Sequence, residues 1–458
     1  MCADLLREIG RKIRSRSATV SVIGLGHVGL PSAVAFAAAG YPTVGVEKNA
    51  KRLGLLKRGK SYLADRAVQL ALPQLVRAKR FEVTKSLRRA VREGDCIIIS
   101  VPTPIDQRNR PDTSEIRKVL RSVARHLSIG KLVVIESSVY PGFTDGTARD
   151  LLEASGLRCG IDFALAYSPS RIAPGRARET DLTKIPKVVG GVDAVSGEVA
   201  TNLYQRLIKA GVVNVRDARS AECVKMLENV YRFVNIALVN ELALLHQKIG
   251  VDIFEVISAA ASKPFGFQAH YPGPGVGGPC IPKDHFYLQH VARRVGMRLD
   301  LVEASTGVNH MMPLWVAREV RRELKGLRLK SPLVSVFGLA YKADIGETTA
   351  SPSITVIREL ISAGIRVSLY DPFVPSIRIN RRVLECEATP ESASTRSNCL
   401  VFMVDHQAFS RLKLSNLRKV AAQGCILFDT KNLFEAQEVE EAGFRYLGLG
   451  KSHRPETS

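Results

Sequence analysis

The chain has 458 residues, 45% hydrophobic and 24% charged, a balance that fits globular domains with sizeable cores and excludes wholesale disorder. Lys and Arg number 66 against 44 Asp and Glu, a net charge of +22, which favours acidic partners: phosphorylated metabolites, nucleic acid or a membrane surface. No apolar run is long enough to span a bilayer, and the opening MCADLLREIGRKIRSRSATV has no apolar signal core, so a cytoplasmic protein with reduced thiols is expected.

Residues 1–18 read as a basic extension, a short extra helix rather than a transit peptide because Asp4 and Glu8 interrupt the charge. From Thr19 a β-rich run, TVSVIGLG, ends in glycines. The apolar helix HVGLPSAVAFAAAG follows, and then a second strand, YPTVGVEK: one βαβ unit. Further strands are expected at DCIIISVPTP, KLVVIESSV, DFALAYS and PKVVGG, with a helix at 113–127, so residues 19–215 form a parallel, doubly wound sheet. The stretch 216–328 reads as helical, broken by the Gly/Pro-rich loop 265–284. Strands return at 331–342, RVSLYDP, CLVFMVDH and CILFDTKN, with a helix at SPSITVIRELISAGI, giving a second α/β domain over 329–448 and a polar tail at 449–458. The fold class is therefore α/β: two Rossmann-like doubly wound domains joined by a long central helix.

Gly24-Leu25-Gly26-His27-Val28-Gly29 matches GxGxxG between a strand and a helix. The first glycine serves the tight turn, the second admits a pyrophosphate to the backbone, and the third lets helix pack on strand. Glu47 closes the second strand, where a carboxylate receives an adenosine ribose diol and disfavours a 2′-phosphate, so NAD is expected over NADP, with Lys48, Lys51 and Arg52 nearby weakening that preference.

Of eight cysteines, none is spaced as CxxC and no histidine cluster joins them, so no metal site is expected. Cys280 stands apart, at the end of a loop whose Gly273, Gly275, Gly277 and Gly278 permit close approach to a ligand. Lys283 beside it favours thiolate, and local chemistry alone leaves Cys280 equally a nucleophile or a buried structural thiol.

The ordered motifs GLGHVGLP, SVPTP, ESSVYPG, IPKVVGG, AECVKMLENVYRFVNIALVNELA, KPFGFQAHYPGPGVGGPCIPKD, NHMMP and GLAYKAD resemble the UDP-glucose/GDP-mannose dehydrogenase family, the nucleotide-sugar 6-dehydrogenases. The loop, LENVYR and ESSVYPG are most similar to its UDP-N-acetylglucosamine branch. The resemblance implies a four-electron oxidation of a sugar C6 to a carboxylate, with NAD accepting hydride twice and Cys280 carrying a thiohemiacetal and then a thioester. It implies Lys225, Asn229 and Asp284 as the other catalytic residues. Without it, Lys225 reads as a solvated helix lysine and Asp284 as a helix cap. His27, Val28, Pro102, Thr103 and Ser138 are implied to join Gly24, Gly26, Gly29 and Glu47 at NAD. Tyr271, Gly277 and Lys342, with Lys225 and Asn229, are implied at the UDP-sugar.

Three positions depart from the family pattern: Ser170 stands where it has a glutamate, Pro279 where it has His or Ser, and Thr349 where it has an arginine. They keep open a second reading, an impaired homologue that binds without turning over, beside UDP-glucose or UDP-N-acetylmannosamine as substrate. A nucleic-acid partner is not expected, because the basic residues are scattered and few aromatics interleave them, and neither is a membrane partner. The all-round apolar helix near 220–250 implies a homodimer.

Overall fold

The computed structural model describes residues 2–63, 65–171, 182–327 and 329–451. Residues 172–175 of the SPSRIAPG motif and 452–458 of the tail lie outside them. The chain forms two compact units, one of Met1–Glu228 and Lys283–Arg298, the other of Asn229–Pro282 and Leu299–Ser458.

The first unit is built on β1 (Val20–Ile23), β2 (Thr43–Val46), β3 (Phe81–Thr84), β4 (Cys96–Ile99), β5 (Lys131–Ile135), β6 (Phe163–Tyr167), β7 (Lys187–Gly191) and β8 (Val212–Asn214). They lie in the order β3-β2-β1-β4-β5-β6-β7-β8. All neighbours run parallel except β6 and β7, which are antiparallel, so the expected all-parallel sheet is mixed at that point. The short runs between helices are nearly all apolar because both faces are covered. Val20, Val22, Cys96, Ile98, Leu132 and Val134 pack into one core, and their neighbours Ile23, Ile97, Ile99, Val133 and Ile135 into the other.

The N-terminal helix, Cys2–Ser15, belongs to this unit. Leu6, Ile9 and Ile13 fall on one helical face and are buried in the first core. Tyr41 donates its hydroxyl proton to the Ile13 carbonyl at 2.9 Å, and Lys12 meets Asp95 at 2.9 Å.

The second unit holds β9 (Leu333–Phe337), β10 (Arg366–Tyr370), β13 (Cys399–Phe402), β14 (Ile426–Asp429) and β15 (Arg445–Gly448), in the parallel order β10-β9-β13-β14-β15. A hairpin of β11 (Ser376–Ile379) and β12 (Arg382–Glu385) was not foreseen. Its turn places Asn380 and Arg381 in the left-handed region at φ 45° and 69°, without the glycine that usually signals such a turn.

The long helix runs from Ala218 to Ile249, and two more cover Ile281–Arg294 and Asp300–Gly326. The glycine-rich loop thus ends at Cys280, not at Asp284, because the helix after it starts at Ile281. Among the described residues, no helix is long and apolar enough to cross a membrane.

Candidate active site

The chain leaves β1 through the fingerprint turn and enters the helix Gly29–Ala38. Gly24 has φ 91°, and a Cβ on it would stand 2.4 Å from the Ser100 carbonyl oxygen. A Cβ on Gly29 would stand 1.9 Å from the Gly24 oxygen, so both positions exclude any side chain. Gly26 meets nothing within 4 Å, which leaves open space over the backbone. The helix start carries no side-chain cap, and its dipole favours an anion there. His27 is exposed and Val28 half-buried on this turn.

Glu47 follows β2 and is buried, accepting the Asn49 backbone N–H at 2.8 Å. Lys48 is paired with Glu115 and Arg52 lies 4.7 Å over the Tyr62 ring, so two of the three cations near Glu47 have partners of their own. Pro102 and Thr103 follow β4, and Ser138 follows β5. Thr103 donates its hydroxyl proton to the Ser138 carbonyl at 2.6 Å. Its own carbonyl accepts from Lys283 Nζ at 2.8 Å and from the Tyr287 hydroxyl. The fingerprint turn, Glu47, Thr103 and Ser138 therefore gather at the carboxyl ends of four adjacent strands, where open α/β sheets bind nucleotides. The residues present fit a dinucleotide.

Lys225, on the long helix, is 9% exposed and donates from Nζ to the Ser170 carbonyl at 2.7 Å. A solvated lysine is thus excluded. Asn229 follows one turn later on the same helix. Arg171 pairs with Glu228 at 2.6 Å and donates to the Pro186 carbonyl at 2.7 Å. Asp284 is fully buried in the first turn of its helix rather than at the cap. Glu136, the other carboxylate near this region, is held by Lys187 and Tyr204 at 2.7 and 2.8 Å and by Ser32 at 3.2 Å. That network engages both of its oxygens.

In the second unit, Cys280 is half-buried at the end of its loop. Buried Asn240, on the long helix, accepts the Gly273 N–H at 2.8 Å. Gly278 has φ 98° and donates its N–H to the Thr349 carbonyl at 2.9 Å. A Cβ on Gly277 would lie 2.7 Å from Tyr341 Cβ, and one on Gly278 2.7 Å from the Tyr341 ring. Burial, then Cys280 and Glu347, push Tyr341 up to about 12, so it stays a neutral hydroxyl at working pH. Lys342 follows it, half-buried. Thr349 turns its hydroxyl to Glu347. Tyr271 is 55% exposed and stacks on Phe254. A cavity of about 570 Å³ in this unit is lined by Val276, Pro282, Asn309, Thr348, Ser351 and Arg358, among others.

Sequence reasoning passed over Asn240, Tyr341, Tyr287 and Glu222. Asn240 and Glu222 were detectable as polar residues within apolar stretches of a helix; Tyr341 and Tyr287 gave no such signal.

Three family profiles match: the UDP-glucose/GDP-mannose dehydrogenase family NAD binding domain over residues 18–208, its central domain over 219–311 and its UDP binding domain over 335–436. The chain belongs to this family. It is 31% identical to the UDP-N-acetyl-D-mannosamine dehydrogenase of Methanococcus maripaludis strain C7, over 94% of this chain and 96% of that one. It is 32% identical to the UDP-N-acetyl-D-glucosamine 6-dehydrogenase of Salmonella typhi, over 92% and 97%. The structure of a UDP-D-ManNAc dehydrogenase from Pyrococcus horikoshii superposes with a TM-score of 0.86 at 31% identity, covering 94% of this chain and 99% of that one. The protein is thus an NAD-dependent UDP-sugar dehydrogenase, an oxidoreductase, and its α/β architecture is that of its relatives.

Proposed function

We propose that this UDP-sugar dehydrogenase oxidises C6 of a UDP-N-acetylhexosamine, with UDP-N-acetylglucosamine the first choice and the mannosamine epimer the second. The observation that carries this reading is the near full-length likeness to relatives named for those two N-acetyl sugars. The reaction consumes one alcohol, two NAD and one water, and yields one carboxylate, two NADH and three protons. NAD supplies the electron sink, taking a hydride at each oxidation.

The chain's own groups do the rest. Cys280 adds to the C6 aldehyde and carries the acyl group as a thioester until water releases it. Lys225 and Asn229, one helical turn apart, stabilise the oxyanion that forms at C6. Asp284 polarises the attacking water. Gly24, Gly26, His27, Val28, Gly29, Glu47, Pro102, Thr103 and Ser138 hold NAD. Glu47 favours it over NADP by about tenfold or more, because a 2′-phosphate would meet a carboxylate. Tyr271, Gly277 and Lys342 bind the sugar nucleotide. Arg358, on the cavity lined by Ser351 and Thr348, supplies the cation that Thr349 lacks. We assign cofactor binding to 19–215, catalysis and dimerisation to 216–328 and UDP binding to 329–448, in a cytoplasmic homodimer.

An NADH-release panel over UDP-N-acetylglucosamine, UDP-N-acetylmannosamine, UDP-glucose and UDP-galactose, with NAD and NADP arms, tests this. The two N-acetyl sugars are expected to lead with NAD. Preference for UDP-glucose overturns the substrate, and normal carboxylate formation in Cys280→Ala overturns the mechanism.

A further inference from the structure

Glu222 is fully buried on the long helix, three residues before Lys225. Its carboxylate accepts three hydrogen bonds from the turn that follows β5. These come from the Gly142 N–H at 2.6 Å, the Thr144 N–H at 2.9 Å and the Thr144 hydroxyl at 2.6 Å. Gly142 sits at φ 90°, a left-handed conformation that glycine adopts without strain and that turns its N–H to the carboxylate. The flanking rings of Tyr140 and Phe143 are buried edge to face, 5.5 Å apart. Arg219, one turn earlier on the helix, pairs with Asp145 at 2.8 Å from the outside. The same turn begins at Ser138, whose carbonyl Thr103 holds.

We propose that Glu222 is a positioning residue for Lys225, a buried clamp that fixes the start of the long helix on the turn leading from the cofactor-side residue Ser138. The proposal rests on the role given to Lys225 above. All three donors are satisfied together only by the ionised carboxylate: a proton on Oε2 opposes the Gly142 N–H, and a proton on Oε1 has to be taken by the Thr144 hydroxyl, which then no longer donates. Burial pushes the Glu222 carboxyl up to about 7 against the pull of those donors, with Asp145 adding repulsion. The other titratable groups around it are Tyr167 from β6 and Cys223 and Arg219 from its own helix. The clamp therefore closes as pH rises through neutrality.

Full-length Glu222→Gln is the test, assayed with NAD and the UDP-sugar that releases most NADH. Its kcat is expected to fall by about 10- to 100-fold, the scale of a small misplacement of a catalytic group. KM for the sugar nucleotide is expected to stay within about threefold, because only a transition-state contact is disturbed. Wild-type kcat should rise with pH through about 7, and the variant's profile should be flat there. Glu222→Asp, which keeps a carboxylate, should retain the limb at reduced kcat and covers the case in which Gln fails to fold. A group whose carboxyl is raised on folding loses stability as pH rises from 4.5 to about 7, so Tm of Glu222→Gln should gain on wild type across that window. Wild-type kcat with an unchanged acid limb in Glu222→Gln, while Lys225→Met is inactive, overturns the clamp. Wild-type kcat in Lys225→Met overturns the reading of Lys225 itself.

Discussion

Ser170 is where this chain differs most from what its chemistry requires. The family pattern has a carboxylate there, and a serine hydroxyl cannot take a proton at neutral pH without a base of its own. The Ser170 main chain still has a task, since its carbonyl receives Lys225 at 2.7 Å. Oxidation and thioester formation are therefore expected to proceed while hydrolysis lags. General-base assistance is typically worth 10²–10⁴-fold, so a burst of NADH before a slow steady state is the expected trace. Ser170→Glu should raise the steady-state rate by at least about tenfold and shrink the burst. Stopped-flow absorbance of both proteins, with intact mass of the quenched wild type, checks this; no burst, no adduct and no gain would show that position 170 does not limit turnover. Takeover of the base role by Asp284, already assigned to the attacking water, or by Glu136 would mute the effect.

At the scale of elements, the N-terminal helix has the clearest consequence. Ile13, on its inner face with Leu6 and Ile9, is 0% exposed. Ile13→Ala should cost about 2–5 kcal/mol, the usual range for a buried large-to-small change, read as a shift in urea midpoint at unchanged slope. In the sequence this helix reads only as the plainer alternative to a transit peptide, through Asp4 and Glu8, whereas the apolar runs of β1, β2 and β4–β7 need no context to be seen. β3, as FEVT, and β8, as VVN, are short edge strands with mixed polarity, and periodicity cannot distinguish three or four such residues from loop. The antiparallel β6–β7 pair leaves no local trace either, because direction is decided by connection and not by composition. At the site, the glycines and Cys280 announced themselves through spacing. Asn240 and Tyr341 did not, since their function is to hold a loop that only folding brings to them.

For the whole molecule, the long helix leaves an apolar stripe uncovered. Leu227, Tyr231, Leu238 and Leu245 are 68, 46, 50 and 51% exposed at steps that keep them on one side. A second copy across a two-fold axis would cover it, with roughly 800 Å² buried per partner as the size of a stable interface. A dimer by light scattering at micromolar concentration is the expected outcome, and Leu238→Glu should convert it to monomer; a monomeric wild type would refute the dimer. Because Gly278 is bonded to Thr349 and Gly277 packs against Tyr341, the loop 272–280 and the segment 339–352 have lengths and shapes that are mutually specified. Recombination between relatives, in nature or in the laboratory, must then move the two segments as one cassette: a thiol loop imported without its matching partner would arrive with no seat.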